Sequence, residues 1–126
     1  MENAIRNLKI KAASCKRIVK ELHSYEKEVE RESAKTNDMK NRNADPYDLK
    51  QQENVLAESR MMIPDCHKRL DTALADLKAY LVELKDDKAP DEVVKEAQDV
   101  IAEVERLLPQ SKPNQEGTEV EEAGEV

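Results

Sequence analysis

The chain has 126 residues, of which 39% are charged, 38% are hydrophobic and 2% are aromatic. A domain of this size without Trp or Phe cannot build a thick core, so narrow helical contacts are the expected source of stability. The net charge of −7 disfavours non-specific binding to nucleic acid or to an anionic membrane. Both glycines, Gly117 and Gly124, lie near the C-terminus, which argues against a phosphate-binding loop or a dinucleotide fold.

Localisation and cysteine chemistry follow from the same composition. Residues 1–6 lack the apolar core of a secretory signal, and no apolar run is long enough to span a membrane, so a cytosolic protein is expected.

Cys15 and Cys66 are expected to be reduced and buried. If the first two helices fold back near residues 41–46, Cys15 faces residue 73, about two helical turns from Cys66.

The first predicted helix covers about residues 3–40. Apolar residues recur there at spacings of three and four, which indicates an amphipathic helix. The stripe weakens after Val29, where Ser33 and Thr36 occupy positions that should face another helix. The apolar stripe consists of Ile5, Leu8, Ala12, Cys15, Val19, Leu22 and Val29, widened by Ile18 and Tyr25.

A second helix is predicted over about residues 46–86, after turn-forming residues that end in Asp45-Pro46. Its apolar residues keep a seven-residue spacing on both sides of Pro64, which predicts one helix bent at the proline, with coiled-coil-like packing. A proline inside a helix costs roughly 3 kcal/mol, which packing must offset. The heptad positions are Leu49, Leu56, Ile63, Leu70, Leu77 and Leu84.

A third helix is predicted over about residues 90–108, and it can cover the flank that two helices would leave exposed. Its stripe contains Val93, Ala97, Val100, Val104 and Leu107, flanked by Val94, Ile101 and Leu108. The fold class is therefore an all-α, elongated antiparallel three-helix bundle over residues 1–108. Residues 109–126 have five acids against one lysine and no apolar period, so we expect a disordered acidic tail that aids solubility or docks a partner.

No pattern in the sequence indicates catalysis. The two histidines, His23 and His67, lack the spacing of a recognised triad or metal motif. Cys66 and His67 are adjacent, and adjacent helical residues point about 100° apart, which makes them poor joint ligands. We expect neither an enzyme, a metal site nor a cofactor.

Two surfaces are better candidates for function. Placing Ile63 on the apolar stripe puts Met61 and Pro64 on the outer face of the second helix, beside Arg60 and Asp65. The alternative is that Met61 is an ordinary exposed apolar residue. The first helix carries an excess of cations on its outer face, which fits either a solvated face or an acidic partner. These cations are Arg6, Lys9, Lys16, Arg17, Lys20, Lys27 and Arg31, and Ile10 lies among them.

The chain resembles the tubulin-binding cofactor A family of tubulin-specific chaperones. The resemblance covers Lys9-Ile10-Lys11, residues 16–21 and residues 25–28 of the first helix. In the second helix it covers residues 47–50, 58–66 and 69–70. Its most specific part is Ser59-Arg60-Met61-Met62-Ile63-Pro64-Asp65-Cys66. Residues 87–108 match only in helical character, and the tail after Pro109 departs from the shorter members.

The resemblance implies an ATP-independent cofactor that captures near-native β-tubulin and keeps it available for assembly of the αβ heterodimer with other tubulin-folding cofactors. It implies a cytoplasmic protein associated with the microtubule cytoskeleton, and we expect a monomer rather than a homodimer. From the helical wheel, the expected contacts are Arg60, Met61, Pro64 and Asp65, with Lys16, Arg17 and Lys20 meeting acidic tubulin.

Two other classes of function stay open at this point. A coiled-coil adaptor would use the same heptads to bind partner helices or a second copy, and its stability would depend on concentration. An enzyme regulated through Cys66 and His67 would show activity that depends on a metal or a thiol.

Overall fold

A computed structural model describes residues 2–85, except the side chain of Lys85, and residues 90–109. The described residues form three helices: α1 (Glu2–Asn41), α2 (Pro46–Lys85) and α3 (Asp91–Leu107). The predicted all-α class with three helices is confirmed. The predicted acidic tail lies outside the described residues apart from Pro109.

The connection between α1 and α2 is short because both helix ends are capped. Asn43 has φ 55°, a left-handed conformation that Asn tolerates better than most residues. The amide of Asn43 donates to the carbonyl of Lys40 at 3.2 Å, and the amide of Ala44 donates to that of Met39 at 2.9 Å. This pair of bonds is a Schellman motif, which satisfies carbonyls at the end of α1.

Asp45 caps the start of α2. Its carboxylate Oδ2 accepts hydrogen bonds from the backbone amides of Tyr47 at 3.0 Å and Asp48 at 3.4 Å. An aspartate at this position satisfies amides that have no partner within the helix and complements the positive end of the helix dipole. Pro46 suits the first helical position because its missing N–H would have no helical partner there.

Pro64 lies inside α2, and the helix continues on both sides of it. The apolar period therefore predicts correctly that the proline does not end the helix. The bend at Pro64 and the coiled-coil packing stay predictions. Two residues later, Cys66 is fully buried, and its thiol Sγ lies 3.7 Å from the carbonyl oxygen of Ile18.

Helix α3 begins after Pro90, whose carbonyl accepts from the amides of Val93 and Val94, both at 3.1 Å. It ends at Leu107, and Leu108 has extended dihedral angles, φ −93° and ψ 120°. This change of backbone direction buries Leu108 and leaves Leu107 partly exposed. The prediction that Leu107 belongs to the main stripe and Leu108 to its flank is wrong, because it extended the helix by one residue.

The chain divides into two compact units, Met1–Cys15 with Leu70–Val126, and Lys16–Arg69. We call the first the three-helix unit, since its described part contains the start of α1, the end of α2 and α3. Its α1 and α2 segments are joined by an ion pair of 2.7 Å between Lys11 and Asp76, and its α2 and α3 segments by one of 2.8 Å between Lys78 and Glu105. Its buried side chains are Leu8, Ala12, Cys15, Leu70, Leu74, Leu77, Leu81, Leu84, Ala97, Val100, Val104 and Leu108.

The other part, the two-helix unit, contains the end of α1 and the start of α2. Contacts from Glu21 to Arg69 and from Lys40 to Glu53 run in opposite chain directions, so these segments are antiparallel. Its buried apolar side chains are Ile18, Val19, Leu22, Met39, Leu56 and Cys66. Thr36, Gln52 and Ser59 are also buried there, and Gln52 donates to the carboxylate of Glu32 at 2.8 Å.

None of the described helices combines the length and the apolar character needed to cross a membrane.

Candidate protein-binding surface

The exposed stretch around Pro64 follows from helical geometry. Cys66 and, in part, Ile63 face the other helix of the unit, so side chains about half a turn away must face solvent. Met61 is 70% exposed and Met62 is 42% exposed. Arg60, Pro64 and Asp65 are exposed as well. An unbranched, polarizable methionine in a polar surround adapts to irregular partner surfaces.

Cations on α1 form the second element of the candidate surface. Lys16, Arg17 and Lys20 are all exposed in the two-helix unit. Arg17 lies 3.9 Å from the carboxylate of Glu21, which is a long ion pair one helical turn away. Across the described residues, no carboxylate lies within ion-pair distance of Lys16 or Lys20. Those two ammonium groups are therefore available to an acidic partner.

A network of ion pairs links the two elements. The carboxylate of Glu21 accepts a hydrogen bond from Nη1 of Arg69 at 2.8 Å, and Nε of Arg69 lies 3.5 Å from Oδ2 of Asp65. Glu21 also pairs with Arg17, so the network runs from α1 to α2. All of its side chains are partly exposed, and each such pair contributes less than about 1 kcal/mol to stability. The network therefore places Asp65 and Arg17 along the same edge of the unit without adding much stability.

The pKa values of Arg69 and Cys66 are both raised in this region, for different reasons. The hydrogen bond that Arg69 donates to the carboxylate of Glu21 raises the pKa of the Arg69 guanidinium above its ordinary value. Burial raises the pKa of the Cys66 thiol, with smaller opposing and supporting effects from Arg69 and Glu21. Cys66 is therefore a neutral packing residue near neutral pH and a poor nucleophile.

Arg60 points to a different side of α2 from the ion-pair network. It lines a groove of about 330 Å³ together with Leu56 and Glu53 of α2. The α1 side of this groove is polar and consists of Ser33, Thr36, Asn37 and Lys40. Arg60 thus borders the polar interior of the two-helix unit, while Asp65 belongs to the opposite edge.

All seven residues predicted as contacts lie exposed in the two-helix unit. The structure connects Arg17 to Asp65 through Glu21 and Arg69, whereas Lys16 and Lys20 stand outside the network. Sequence reasoning did not identify Glu21 and Arg69, which form the ion pairs between Arg17 and Asp65. The paired register of the first two helices, had it been extended to every charged pair, would have placed them near each other.

Metal chemistry has no support in the part of the chain that the structure describes. No group of three or more His, Cys, Asp or Glu side chains there is placed to hold a metal ion. Cys66 is fully buried while its neighbour His67 is only partly so, as expected for adjacent residues on a helix.

Comparisons with known proteins agree with this architecture. A model of the tubulin binding cofactor A family matches residues 3–101. The tubulin-folding cofactor A of Arabidopsis thaliana is 68% identical over 106 residues, which cover 83% of this chain and 94% of that protein. The residues matched by the family model include the run from Ser59 to Cys66, the most specific part of the resemblance.

Solved structures of related cofactors share the fold of this chain. The crystal structure of the Arabidopsis thaliana cofactor superposes with a TM-score of 0.80 at 66% identity, covering 84% of this chain and 99% of that one. A β-tubulin-binding post-chaperonin cofactor superposes with a TM-score of 0.72 at 30% identity, covering 81% and 97%. The expected resemblance is confirmed: this chain belongs to the tubulin binding cofactor A family.

Proposed function

We propose that this chain is a tubulin-folding cofactor that captures β-tubulin in a near-native state and keeps it available for assembly of the αβ heterodimer. The observation that carries the proposal is the family match over most of the chain, together with the shared fold of a β-tubulin-binding post-chaperonin cofactor. The cofactor works without ATP, by binding alone. The proposal assigns no enzymatic activity, metal or nucleotide to it.

The proposed mechanism is reversible masking. The cofactor covers a β-tubulin surface that would otherwise associate wrongly, and it shifts the population toward the protected monomer in proportion to its differential affinity. It acts as a monomer in the cytoplasm, close to the microtubule cytoskeleton, and passes β-tubulin on to other tubulin-folding cofactors. Release needs only a partner that binds the same β-tubulin surface more favourably.

The proposed contacts lie on the two-helix unit. Met61 supplies the apolar contact, and Arg60, Pro64 and Asp65 surround it. Lys16, Arg17 and Lys20 supply positive charge toward acidic groups of tubulin. This division suits a transient complex, because the methionine gives contact area while the exposed charges raise the association rate and set orientation.

The first experiment is capture of β-tubulin, measured by size-exclusion chromatography or a native gel with the cofactor in excess. Isolated α-tubulin and the folded αβ heterodimer serve as controls. We expect a discrete one-to-one complex with β-tubulin alone, formed equally well with and without ATP. The absence of any complex with a cofactor that is helical by circular dichroism would contradict the proposal.

A charged substitution then tests the contact surface. Met61→Glu should weaken β-tubulin binding about tenfold, since it places an unpaired charge in a desolvated contact. The matched control is Val82→Glu, because Val82 is 65% exposed on the same helix but lies in the three-helix unit. Melting temperatures of both variants should stay close to that of the parent. Equal binding by both variants would remove Met61 from the contact surface.

A further inference from the structure

An exposed patch near the start of α1 is not used by the proposed β-tubulin contacts. It is a shallow groove of about 570 Å³ on one face of the helix, within the three-helix unit. Ile10 is 55% exposed there, and Ile5 is only partly buried. We call this surface the N-terminal patch; it consists of Ile5, Arg6, Lys9, Ile10 and Ala13, with Glu2 at its edge.

The patch carries positive charge that the described residues leave unpaired. Arg6 and Lys9 have no carboxylate within ion-pair distance in residues 2–85 and 90–109. In contrast, Lys11 is paired with Asp76 at 2.7 Å and lies 5.2 Å from the ring centroid of Tyr80. An exposed isoleucine beside two cations without an ion-pair partner among the described residues suits a segment that alternates acidic and apolar residues.

The C-terminal residues of the same chain have that composition. Residues 110–126 contain five glutamates and one lysine, and Val120 lies within the acidic run. The glutamates are Glu116, Glu119, Glu121, Glu122 and Glu125. Their charge is opposite to that of the patch, and the attraction between them would be screened over about 8 Å at physiological salt.

The exit point of this segment lies in the same unit as the patch. Glu105 pairs with Lys78 and Lys11 pairs with Asp76, so α3 and α1 contact α2 within two residues of each other. Pro109, the last described residue, follows Glu105 by about one helical turn. The 11 residues from 110 to 120 can reach about 37 Å when extended, which exceeds the path of about 16 Å around half of a helix of about 10 Å diameter.

We propose that residues 116–126 of this chain bind the N-terminal patch, with the glutamates facing Arg6 and Lys9 and Val120 near Ile10. Tethering raises the local concentration of the segment to the millimolar range, so even weak contacts are populated. The bound segment covers the apolar side chain of Ile10 and neutralises the excess positive charge at the start of α1.

Paramagnetic relaxation in the full-length protein tests this proposal. A nitroxide on Thr118→Cys is selective because Cys15 and Cys66 are fully buried and burial raises the pKa of both thiols. At low salt, the amide signals of Ile5, Lys9 and Ala13 should lose about twofold or more intensity relative to that of Met61. The loss should disappear near 1 M salt, where the Debye length is about 3 Å.

Two sets of variants separate the possible outcomes. Replacing all five glutamates with Gln, or Arg6 and Lys9 with Glu, should abolish the local broadening, whereas Lys95→Glu in α3 should leave it unchanged. Broadening that is absent, uniform along the chain, or centred on Met61 would overturn the proposal. A second sample mixes copies that carry the nitroxide but no isotope with isotope-labelled copies that carry no nitroxide. Broadening in this mixture would show that the segment binds a second molecule, which would also overturn the proposal.

Discussion

The three-helix unit and the two-helix unit use the same two long helices, yet their interiors differ in polarity. All buried side chains of the three-helix unit in the described residues are apolar. Thr36, Gln52 and Ser59 are the buried polar side chains of the described chain, and all three lie in the two-helix unit. A third helix shields apolar side chains from water, and where only two helices meet, polar side chains can occupy the boundary.

This difference indicates a division of roles within one small protein. The three-helix unit buries the larger apolar surface and should supply most of the free energy of unfolding. The two-helix unit exposes Met61, Met62 and Val55, together with all of the proposed tubulin contacts. A less stable region can adjust to a partner at low cost, as is common for binding elements.

The largest expected effect comes from truncating the apolar cores. Leu77→Ala in the three-helix unit should lower the free energy of unfolding by about 3–5 kcal/mol, because Leu77 is fully buried and its surroundings fill such a cavity only in part. Leu56→Ala in the two-helix unit should cost about 2 kcal/mol, since Leu56 retains some exposure. Urea unfolding followed by circular dichroism measures both. Equal losses would contradict the proposed uneven stability.

A charge reversal should affect binding and leave the fold intact. Lys16→Glu combined with Lys20→Glu should weaken β-tubulin association about tenfold at low salt, mainly through the association rate, and less at high salt. The matched control reverses Lys50 and Lys95, which are exposed and lie outside the proposed contacts. Surface plasmon resonance at two salt concentrations gives the rates. If both double variants lose affinity equally, overall charge rather than the proposed site is responsible.

The two buried thiols report how easily each unit opens. Burial raises the pKa of Cys15 and Cys66 above the ordinary 9.0, so the reactive thiolate is scarcer at pH 8 in the folded protein than in the unfolded one. Reaction with a thiol reagent should therefore require opening of the unit. We expect Cys66 in the two-helix unit to react about fivefold faster than Cys15. Mass spectrometry of the labelled peptides measures this ratio, and faster reaction of Cys15 would reverse the stability order.

The smallest expected effect concerns the polar boundary of the two-helix unit. The hydroxyl of Thr36 donates to the carbonyl of Glu32 at 2.7 Å, and Gln52 also donates to that carbonyl at 3.3 Å. Thr36→Val should therefore change the free energy of unfolding by less than about 0.5 kcal/mol, because the carbonyl keeps another donor. A loss above about 1 kcal/mol in thermal unfolding would show that the hydrogen bond within α1 from Thr36 to Glu32 is not replaced by the donor from Gln52.

The helices were predictable from the sequence because they depend on local patterns. Apolar spacing gives the helical stripes, and Asp45-Pro46 and Pro90 mark where two helices begin. The error at Leu107 and Leu108 arose where the backbone turns out of the helix, which no periodic pattern encodes. Burial of Met39 was also missed, although it keeps the seven-residue spacing of Ile18 and Tyr25, because polar residues interrupt the stripe after Val29.

The candidate surface was predictable only in part. A helical wheel is enough to predict that Met61 is exposed, since exposure depends on the direction of a side chain relative to the apolar stripe. The network that joins Arg17 to Asp65 depends on the register between two helices, and the position of the turn near residues 41–46 predicts this register only approximately. The partner of the surface cannot be derived from the wheel, and it rests on family membership.

Pro64 also changes what the backbone of α2 can offer a partner. A proline has no amide hydrogen, so the carbonyl oxygen of Arg60 lacks the donor that an interior helical carbonyl ordinarily has. Arg60 and Pro64 are both exposed, so this oxygen lies on a solvent-facing stretch of the helix. A helix normally presents only side chains, but here a main-chain acceptor is open to an amide or hydroxyl from outside, and replacing the side chain of Arg60 would not remove it.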